Sequence, residues 1–167
     1  MDCKLSEEQN LLIKSTKSFV KNELMQHEEL LEKTDNLPKE LYQEIKKKSQ
    51  ELGLYACNMP TEYGGGGLNA FDLTLIEKEL GHTSLALAEI AWRPQNILMA
   101  CTGKLIDEYL KPATTGERKD CIAMTEPGAG SDLRGMKTNA VQNGDDWTIN
   151  GTKHFISNAH ISDFVVL

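Results

Sequence analysis

Apolar residues recur at steps of three and four positions through the first two-thirds of the chain, which is the period of a helix with one buried face. Ser6 followed by Gln9 matches a capping box, and the apolar positions after it predict one long amphipathic helix to about residue 34. The same period predicts a second helix over 38–53 and a third over 70–81.

Glycine and proline interrupt the remaining helical sequence. The glycine-rich stretch 60–67 predicts a loop between the second and third helices. Another helical segment over 84–101 contains Pro94, which lacks an amide donor and is expected to kink or interrupt the helix. A short helix over 104–110 is predicted to be closed by Pro112.

The period changes after Cys121, where three short runs are rich in β-branched or aromatic residues. The runs span 137–142, 146–149 and 153–157. Asn-Gly pairs at 143–144 and 150–151 separate them, and Asn-Gly is a strong hairpin signal because both central residues of the tight turn need positive φ. The pattern predicts a β-meander.

The last residues, 163–167, form an apolar strand-like run with no later strand to pair with. An open apolar edge invites aggregation, so we expect such a chain to be incomplete, or to be completed by another polypeptide. A boundary between the helical and β-rich parts is predicted near 116–119. These parts together predict an α+β fold with the helices first.

The acidic balance of the chain restricts its partners. Its 18 lysines and arginines against 25 aspartates and glutamates give a net charge of −7, whereas nucleic-acid binding needs clustered basic residues. The basic cluster 46–48 lies among glutamates and is typical of a solvated helix face. We therefore predict no nucleic-acid partner.

The sequence carries none of the usual signals of export, membrane insertion or metal binding. The N-terminus has neither a basic nor an apolar leader region, and no run approaches the ~18 apolar residues that span a bilayer. The four cysteines lie far apart, and the four histidines are not at ligand spacing. We predict a cytoplasmic protein with no membrane partner and no local metal site.

The stretch 124–132 is the strongest candidate for chemistry. It combines a proline-fixed bend, two glycines that let backbone amides approach a ligand, and the hydroxyls of Thr125 and Ser131. Such a loop can hold an anionic or heteroaromatic ligand, although the same composition also suits a plain surface turn. A dinucleotide fingerprint is excluded because Leu133 stands at its third glycine position, and a nucleophile elbow is excluded because Ala129 and Leu133 flank Ser131.

Two segments of the chain resemble a known family. Residues 123–132 with Gly135 are similar to the signature of acyl-CoA dehydrogenases, and residues 150–158 are similar to the second flavin-contacting segment of that family. The resemblance covers the whole chain, because comparable residues occur in order at other places. These are Pro60, 63–65, 79–81, 109–110 and 116–117.

The resemblance implies a helical N-terminal domain at 1–118 and an incomplete middle β-domain at 119–167. The fold class becomes an all-α domain followed by a truncated antiparallel β-barrel. In the family, a C-terminal four-helix bundle follows, FAD and acyl-CoA bind between the domains, and electrons pass to an electron-transfer flavoprotein or a similar acceptor. It also implies a homo-oligomeric full-length flavoprotein, an oxidoreductase of fatty acid metabolism.

The resemblance assigns cofactor contacts to eight residues, Ile122, Met124, Thr125, Gly130, Ser131, Phe155, Ile156 and Ser157. A strand over 122–125 would line the pyrimidine edge of the flavin, with Thr125 donating a hydrogen bond. Ser131 would lie near the FAD pyrophosphate and the acyl-CoA chain. Phe155 stands where the family usually has tryptophan, and Ser157 occupies the position whose hydroxyl bonds flavin N5.

The catalytic base of the family has no counterpart in this sequence, so we predict no catalytic residue here. In the family, a carboxylate of the C-terminal domain removes the α-proton of the thioester while hydride leaves the β-carbon. Glu126 is the obvious substitute, but we interpret it as a structural hydrogen-bond acceptor. Asp132 is interpreted as a loop-fixing acceptor, and His154 and His160 as structural or solvated rather than as proton carriers.

These features predict part of an FAD-dependent enzyme for α,β-desaturation of an acyl-CoA thioester, inactive as this chain alone. One alternative is a non-catalytic or partner-completed subunit of a heteromeric acyl-CoA dehydrogenase. Another is an acyl-CoA oxidase or flavin monooxygenase of the same architecture. Trp92, Arg93 and Met99 are candidates for an acyl pocket, although such residues at helical spacing are more often core.

Overall fold

The computed structural model describes residues 4–91 and 94–167. The chain divides into two compact units, Met1–Thr115 and Gly116–Leu167. The first is helical and the second holds the strands, so the predicted α+β order is present. Trp92 and Arg93, two of the candidates for an acyl pocket, lie outside the described residues.

The first helical stretch begins as predicted but is not one continuous α-helix. Ser6 accepts from the backbone of Gln9 while the Gln9 side chain accepts from Ser6, so the capping box is confirmed. Helix α1 spans Glu7–Phe19, a π-helical turn spans Val20–Leu24, and a 3-10 turn leads into α2, Glu28–Thr34. The wider turn changes the helical phase, and both of its end residues, Val20 and Leu24, are buried.

The next two helices match their predictions. Helix α3 spans Lys39–Glu51, and α4 spans Ala70–Leu80, where the Asn69 side chain accepts from two amides of the first turn. Helix α1 packs against α4, and the Gln9 amide donates to Asp72 over 2.8 Å.

The later helical sequence is broken into short pieces. Helix α5 is only Leu85–Ala88, and 3-10 turns at Glu89–Ala91 and Asn96–Ala100 lie on either side of Pro94. Pro112 does not close the following helix, contrary to the prediction. A π-helical turn, Ile106–Leu110, runs directly into α6, Lys111–Thr114, so Pro112 lies just after a turn in which the regular i→i−4 hydrogen bonds are already interrupted.

The core of the helical unit is one cluster of buried apolar side chains from α1 and the π-helical turn after it, from α3 and the connector that follows, and from α4, α5 and the 3-10 turn after α5. Its members are Phe19, Val20, Leu24, Ile45, Leu54, Cys57, Ile76, Leu80, Leu87, Ala88, Ile90 and Ala91. The basic cluster 46–48 lies on the solvent side of α3, where Lys48 pairs with Glu44 over 2.7 Å and with Glu23 over 2.8 Å. The prediction of a solvated charged face is confirmed for Lys47, which is exposed, whereas Lys46 and Lys48 are half-buried.

The β unit contains two short two-stranded sheets rather than a barrel. Strand β1, Asp120–Ile122, pairs in parallel with β4, Phe164–Val166, whereas β2, Asn139–Asn143, pairs antiparallel with β3, Asp146–Asn150. The predicted antiparallel barrel is therefore not present in the described residues. The final apolar run is a strand as expected, but it has a partner earlier in the chain, β1.

The predicted meander is correct for its first hairpin and wrong for its third strand. The hairpin turn is Gly144-Asp145, with Gly144 at φ +66°, so Asn143 ends β2 instead of occupying the turn. Residues 151–154 have no regular structure, and Phe155 takes φ +57°, which a strand does not allow. In the described parts of the chain, no helix is long and apolar enough to cross a bilayer.

Candidate functional site

Residues 124–132, the motif loop, begin two positions after the end of β1. The strand predicted over 122–125 stops at Ile122, and the chain then folds back on itself at Pro127-Gly128. Glu126 and Ala129 close this bend with two backbone hydrogen bonds, of 2.9 and 3.1 Å. The proline restricts φ in the bend, so the loop is held by local geometry before any longer-range contact forms.

Glu126 is the polar centre of this loop. Only 8% of the residue is exposed, and its carboxylate accepts from the backbone amides of Lys137 and Thr138, over 2.7 and 3.0 Å, and from Lys153 Nζ over 2.9 Å. These donors, the Lys137 amide first, lower the pKa of Glu126 to about 2. The prediction of a structural acceptor is confirmed, since a carboxylate so acidic and so fully engaged is a poor base.

Lys153 connects the second motif segment, residues 150–158, to the motif loop. Its ammonium donates to the Met124 carbonyl over 3.0 Å as well as to Glu126, and only 13% of its side chain is exposed. The neighbouring amide of His154 donates to the Thr125 carbonyl over 3.0 Å. The segment predicted as a third strand is therefore bound to the motif loop, which explains why it does not continue the sheet beside β3.

Two glycines of the motif loop have space around them. A Cβ built at Gly128 or Gly130 would meet no atom within 4 Å, and neither residue has φ in the left-handed region. Neither close packing nor backbone conformation inside the unit requires glycine at these positions. Both glycines are exposed, so the backbone of the loop is accessible to a ligand, as it would be in a plain surface turn.

The second motif segment presents an aromatic ring to solvent. Phe155 is 90% exposed and takes φ +57°, a conformation that costs a non-glycine residue about 1–2 kcal/mol. Its ring lies 5.0 Å from that of His154, centroid to centroid. An exposed, strained aromatic residue is typical of a site where a ligand supplies the missing contacts.

The remaining residues predicted as cofactor contacts are accessible. Met124, Gly130, Ser131 and Ser157 are exposed, while Ile122, Thr125 and Ile156 are partly buried. The hydrogen bond from His154 to the Thr125 carbonyl brings Thr125 beside the segment that carries Phe155. The assigned roles of these residues in cofactor binding stay predictions.

The other candidates have simpler roles. Asp132 accepts from the amide of Arg134 over 3.1 Å and begins a 3-10 turn, as predicted for a loop-fixing side chain. His160 is exposed, while His154 Nε2 is buried without a hydrogen-bond partner among the described residues. Met99 is exposed in the helical unit, so its interpretation as core is wrong.

Lys153 is the residue that sequence reasoning missed. The only signal available was a lysine at the start of a run that otherwise reads as an apolar strand. Such a lysine is normally assigned to the solvent face of the strand. Within the described residues, no group of three or more His, Cys, Asp or Glu side chains could hold a metal ion.

Comparisons with known proteins agree on one family. Residues 6–117 match the family described as acyl-CoA dehydrogenase, N-terminal domain, and residues 121–167 match acyl-CoA dehydrogenase, middle domain. The chain is 33% identical to the caffeyl-CoA reductase-Etf complex subunit CarC of Acetobacterium woodii, over 97% of this chain and 43% of that protein. It is 30% identical to the mitochondrial long-chain specific acyl-CoA dehydrogenase of Rattus norvegicus, over 97% of this chain and 38% of the relative.

A solved structure agrees with these relatives. The acyl-CoA dehydrogenase of Bacillus anthracis, complexed with FAD, superposes with a TM-score of 0.79 and 29% identity, over all of this chain and 29% of that one. The chain spans less than half the length of each of these three proteins.

Proposed function

This chain belongs to the acyl-CoA dehydrogenase family, and we propose that it supplies part of an FAD site and of an acyl-CoA site in an oxidoreductase that acts on a carbon–carbon bond of a thioester. In this proposal, residues 1–118 are the N-terminal helical domain. Residues 119–167 are the start of a middle β-domain whose barrel is completed by further polypeptide.

The observation that carries the proposal is the junction of the two motif segments. Lys153 and His154 join the second segment to the carbonyls of Met124 and Thr125, beside a loop with open space at Gly128 and Gly130. A planar heteroaromatic ligand is bound well by an aromatic surface with hydroxyl groups nearby, and in this proposal Phe155, Thr125 and Ser157 supply these groups beside the junction. The Bacillus anthracis relative, with FAD bound, supports the same choice of ligand.

Each predicted cofactor residue then has a physical role. Thr125 and Ser157 supply hydroxyl donors, Phe155 supplies an aromatic face, and the backbone near Gly130 and Ser131 is open to the anionic pyrophosphate. Ile122, Met124 and Ile156 supply apolar and backbone contacts, and Ser131 also faces the acyl-CoA chain. FAD, when bound, supplies a two-electron acceptor for hydride from the β-carbon of the thioester.

No base for the α-proton is proposed among these residues. Glu126 accepts three hydrogen bonds, so its oxygens are already engaged, and its lowered pKa means that it would not keep a substrate proton at neutral pH. The proton is taken up by a carboxylate of further polypeptide. Because that base lies outside these residues, the 167-residue chain alone is inactive.

The electron partner is proposed to be an electron-transfer flavoprotein or a similar acceptor in a homo-oligomeric enzyme. The Acetobacterium woodii relative is named as a subunit of a reductase-Etf complex, which supports such a partner. The rat relative is named for long-chain acyl-CoA, which supports a role in fatty acid metabolism, and it is mitochondrial. A cytoplasmic location for this chain stays a prediction.

The test compares the natural gene product that contains this chain with the 167-residue chain alone. We expect the gene product to bind FAD tightly and to reduce an artificial dye with at least one acyl-CoA, and the chain alone to give no turnover. A gene product that stays colourless after reconstitution with FAD would contradict the cofactor assignment. Turnover by the chain alone would contradict its inactivity.

A matched pair of serine variants sharpens this test. Ser157→Ala removes a hydroxyl placed at the flavin and is expected to lower turnover at least about tenfold. Ser15→Ala, on the exposed face of α1, should leave turnover unchanged. Equal activity of the two variants would remove Ser157 from the site.

A second candidate, a partner-completed subunit, is favoured by the hairpin of β2 and β3. All ten of its residues are exposed, including Val141, Trp147 and Ile149. Exposed apolar side chains on a two-stranded ribbon gain stability when another polypeptide covers them. Co-expression with the neighbouring reading frames should then yield a yellow complex with a blue-shifted Trp147 emission, whereas a colourless, unassociated chain would count against this candidate.

A further inference from the structure

The ammonium of Lys153 lies between two acceptors on one short stretch of the motif loop. It donates to the Met124 carbonyl and to the Glu126 carboxylate, and the Met136 sulfur lies 3.7 Å away. Lysine is rarely this buried unless its charge is paired. Here the charge is matched by Glu126, which two backbone amides already hold in place.

This arrangement explains why residues 153–157 do not form the strand that their composition predicts. A strand needs extended backbone at every position, with side chains alternating between faces. Lys153 is instead drawn to Glu126, the next amide is bonded to Thr125, and the backbone of Phe155 turns into the left-handed region. The polar contact therefore opposes the local β propensity at the point where the aromatic ring becomes exposed.

We propose that Lys153 is a positioning residue. Its hydrogen bonds to Met124 and Glu126 hold the segment that carries Phe155 and Ser157 beside the motif loop, where the ligand would bind. This inference rests on the proposed function for the identity of the ligand. It assigns Lys153 no contact with substrate or cofactor. Without its ammonium, the segment is free to extend, and the ring and the hydroxyl lose their fixed relation to Thr125.

Three lysine variants separate positioning from general stability. Lys153→Met keeps a long apolar side chain and removes the ammonium, while Lys153→Arg keeps a cation with more donors. Lys137→Met is the matched control, because Lys137 is exposed and donates to the same carboxylate through its backbone amide, which the substitution retains.

The first measurement needs no flavin. Hydrogen exchange at His154, whose amide donates to Thr125, is followed by mass spectrometry in the FAD-free gene product. We expect Lys153→Met to speed this exchange at least about tenfold and Lys137→Met to leave it unchanged. Equal protection in wild type and Lys153→Met would overturn the fastening role, whether or not the protein binds FAD.

The second measurement uses the FAD-loaded gene product. We expect Lys153→Met to weaken FAD binding about tenfold or more and to alter the visible spectrum of the bound flavin, with Lys153→Arg restoring most of the spectrum. An unchanged FAD affinity and spectrum in Lys153→Met would overturn the inference while leaving the proposed function intact. A wild-type protein that binds no FAD would instead overturn the proposed function.

Discussion

Different kinds of interaction stabilise the interior of each of the two units. In the helical unit, a continuous cluster of buried apolar side chains joins α1, α3, α4 and α5. In the β unit, every residue of the two hairpin strands is exposed, and a buried carboxylate, Glu126, accepts three hydrogen bonds. One unit is stabilised by burial of apolar surface and the other by a few directional polar contacts.

The contrast between the two units indicates that the β unit is better suited to carry a binding surface. A packed apolar core tolerates little movement, because any change of volume is transmitted to its neighbours. Directional polar contacts can instead hold a few backbone groups in strained positions, such as Phe155 at φ +57°, and leave the surrounding surface open.

The largest effect is expected in the helical core. Leu24 is fully buried, so Leu24→Ala should lower the free energy of unfolding by about 2–5 kcal/mol through lost burial and a residual cavity. Leu11→Ala, an exposed position of α1, should change it by no more than about 0.5 kcal/mol. Urea unfolding followed by far-ultraviolet circular dichroism measures both, and similar values would mean that the helical unit has no specific core.

The next effect is a pH dependence confined to the β unit. The pKa of Glu126 is lowered to about 2 in the folded chain from an ordinary value of 4.5, so its contribution to stability is complete above pH 4.5. That contribution is lost as the pH falls from about 4.5 towards about 2, because in this range the carboxyl group takes up a proton in the unfolded chain but not in the folded one. Glu126→Gln should remove this part of the pH dependence.

The measurement for Glu126 is the thermal midpoint of the β unit, followed by the NMR amide signals of residues 137–157 between pH 7 and pH 2. Wild type should lose several degrees that the Glu126→Gln variant has already lost at neutral pH. Parallel curves for the two proteins would show that the carboxylate is not the polar centre of this unit.

A smaller effect is expected from close backbone packing at Gly151. A Cβ there would meet the Thr138 backbone at 2.8 Å, so Gly151→Ala should destabilise the β unit by about 1–3 kcal/mol. Gly128→Ala is the matched control, since its Cβ would meet nothing within 4 Å, and it should stay within about 0.5 kcal/mol. Under the proposed function, Gly128→Ala should nevertheless weaken FAD binding, which a fluorescence titration of the gene product would detect.

The smallest effect concerns the first helix. Ser6→Ala removes the side chain that caps α1 and should cost about 1 kcal/mol. Ser15→Ala, on the exposed face of the same helix, should be neutral or slightly stabilising because alanine favours the helix interior. Thermal unfolding measures both, and a neutral Ser6→Ala would mean that the capping box contributes nothing to the stability of α1.

The sequence predictions were correct for features that depend on residues close together in the chain, and they failed for features that depend on distant residues. The ends of α4 and the capping box of α1 were predictable because they depend on neighbours a few positions away. The π-helical turn at Val20–Leu24 was not, since it serves a core assembled from distant elements. The pairing of β1 with β4 was missed for the same reason, because it joins residues more than forty positions apart.

The amino-acid order by itself determined the helix-then-strand organisation, the hairpin and the two motifs, because period, turn residues and motif spacing are local properties of a chain. Tertiary structure decided that the pKa of Glu126 is lowered to about 2, that residues 153–157 form no third strand, and that Phe155 faces solvent. These outcomes depend on the meeting of Lys153 with a carboxylate 27 positions earlier in the chain. Such a contact has no local signature, because its energy arises only when folding brings both charges into one nearly dry site.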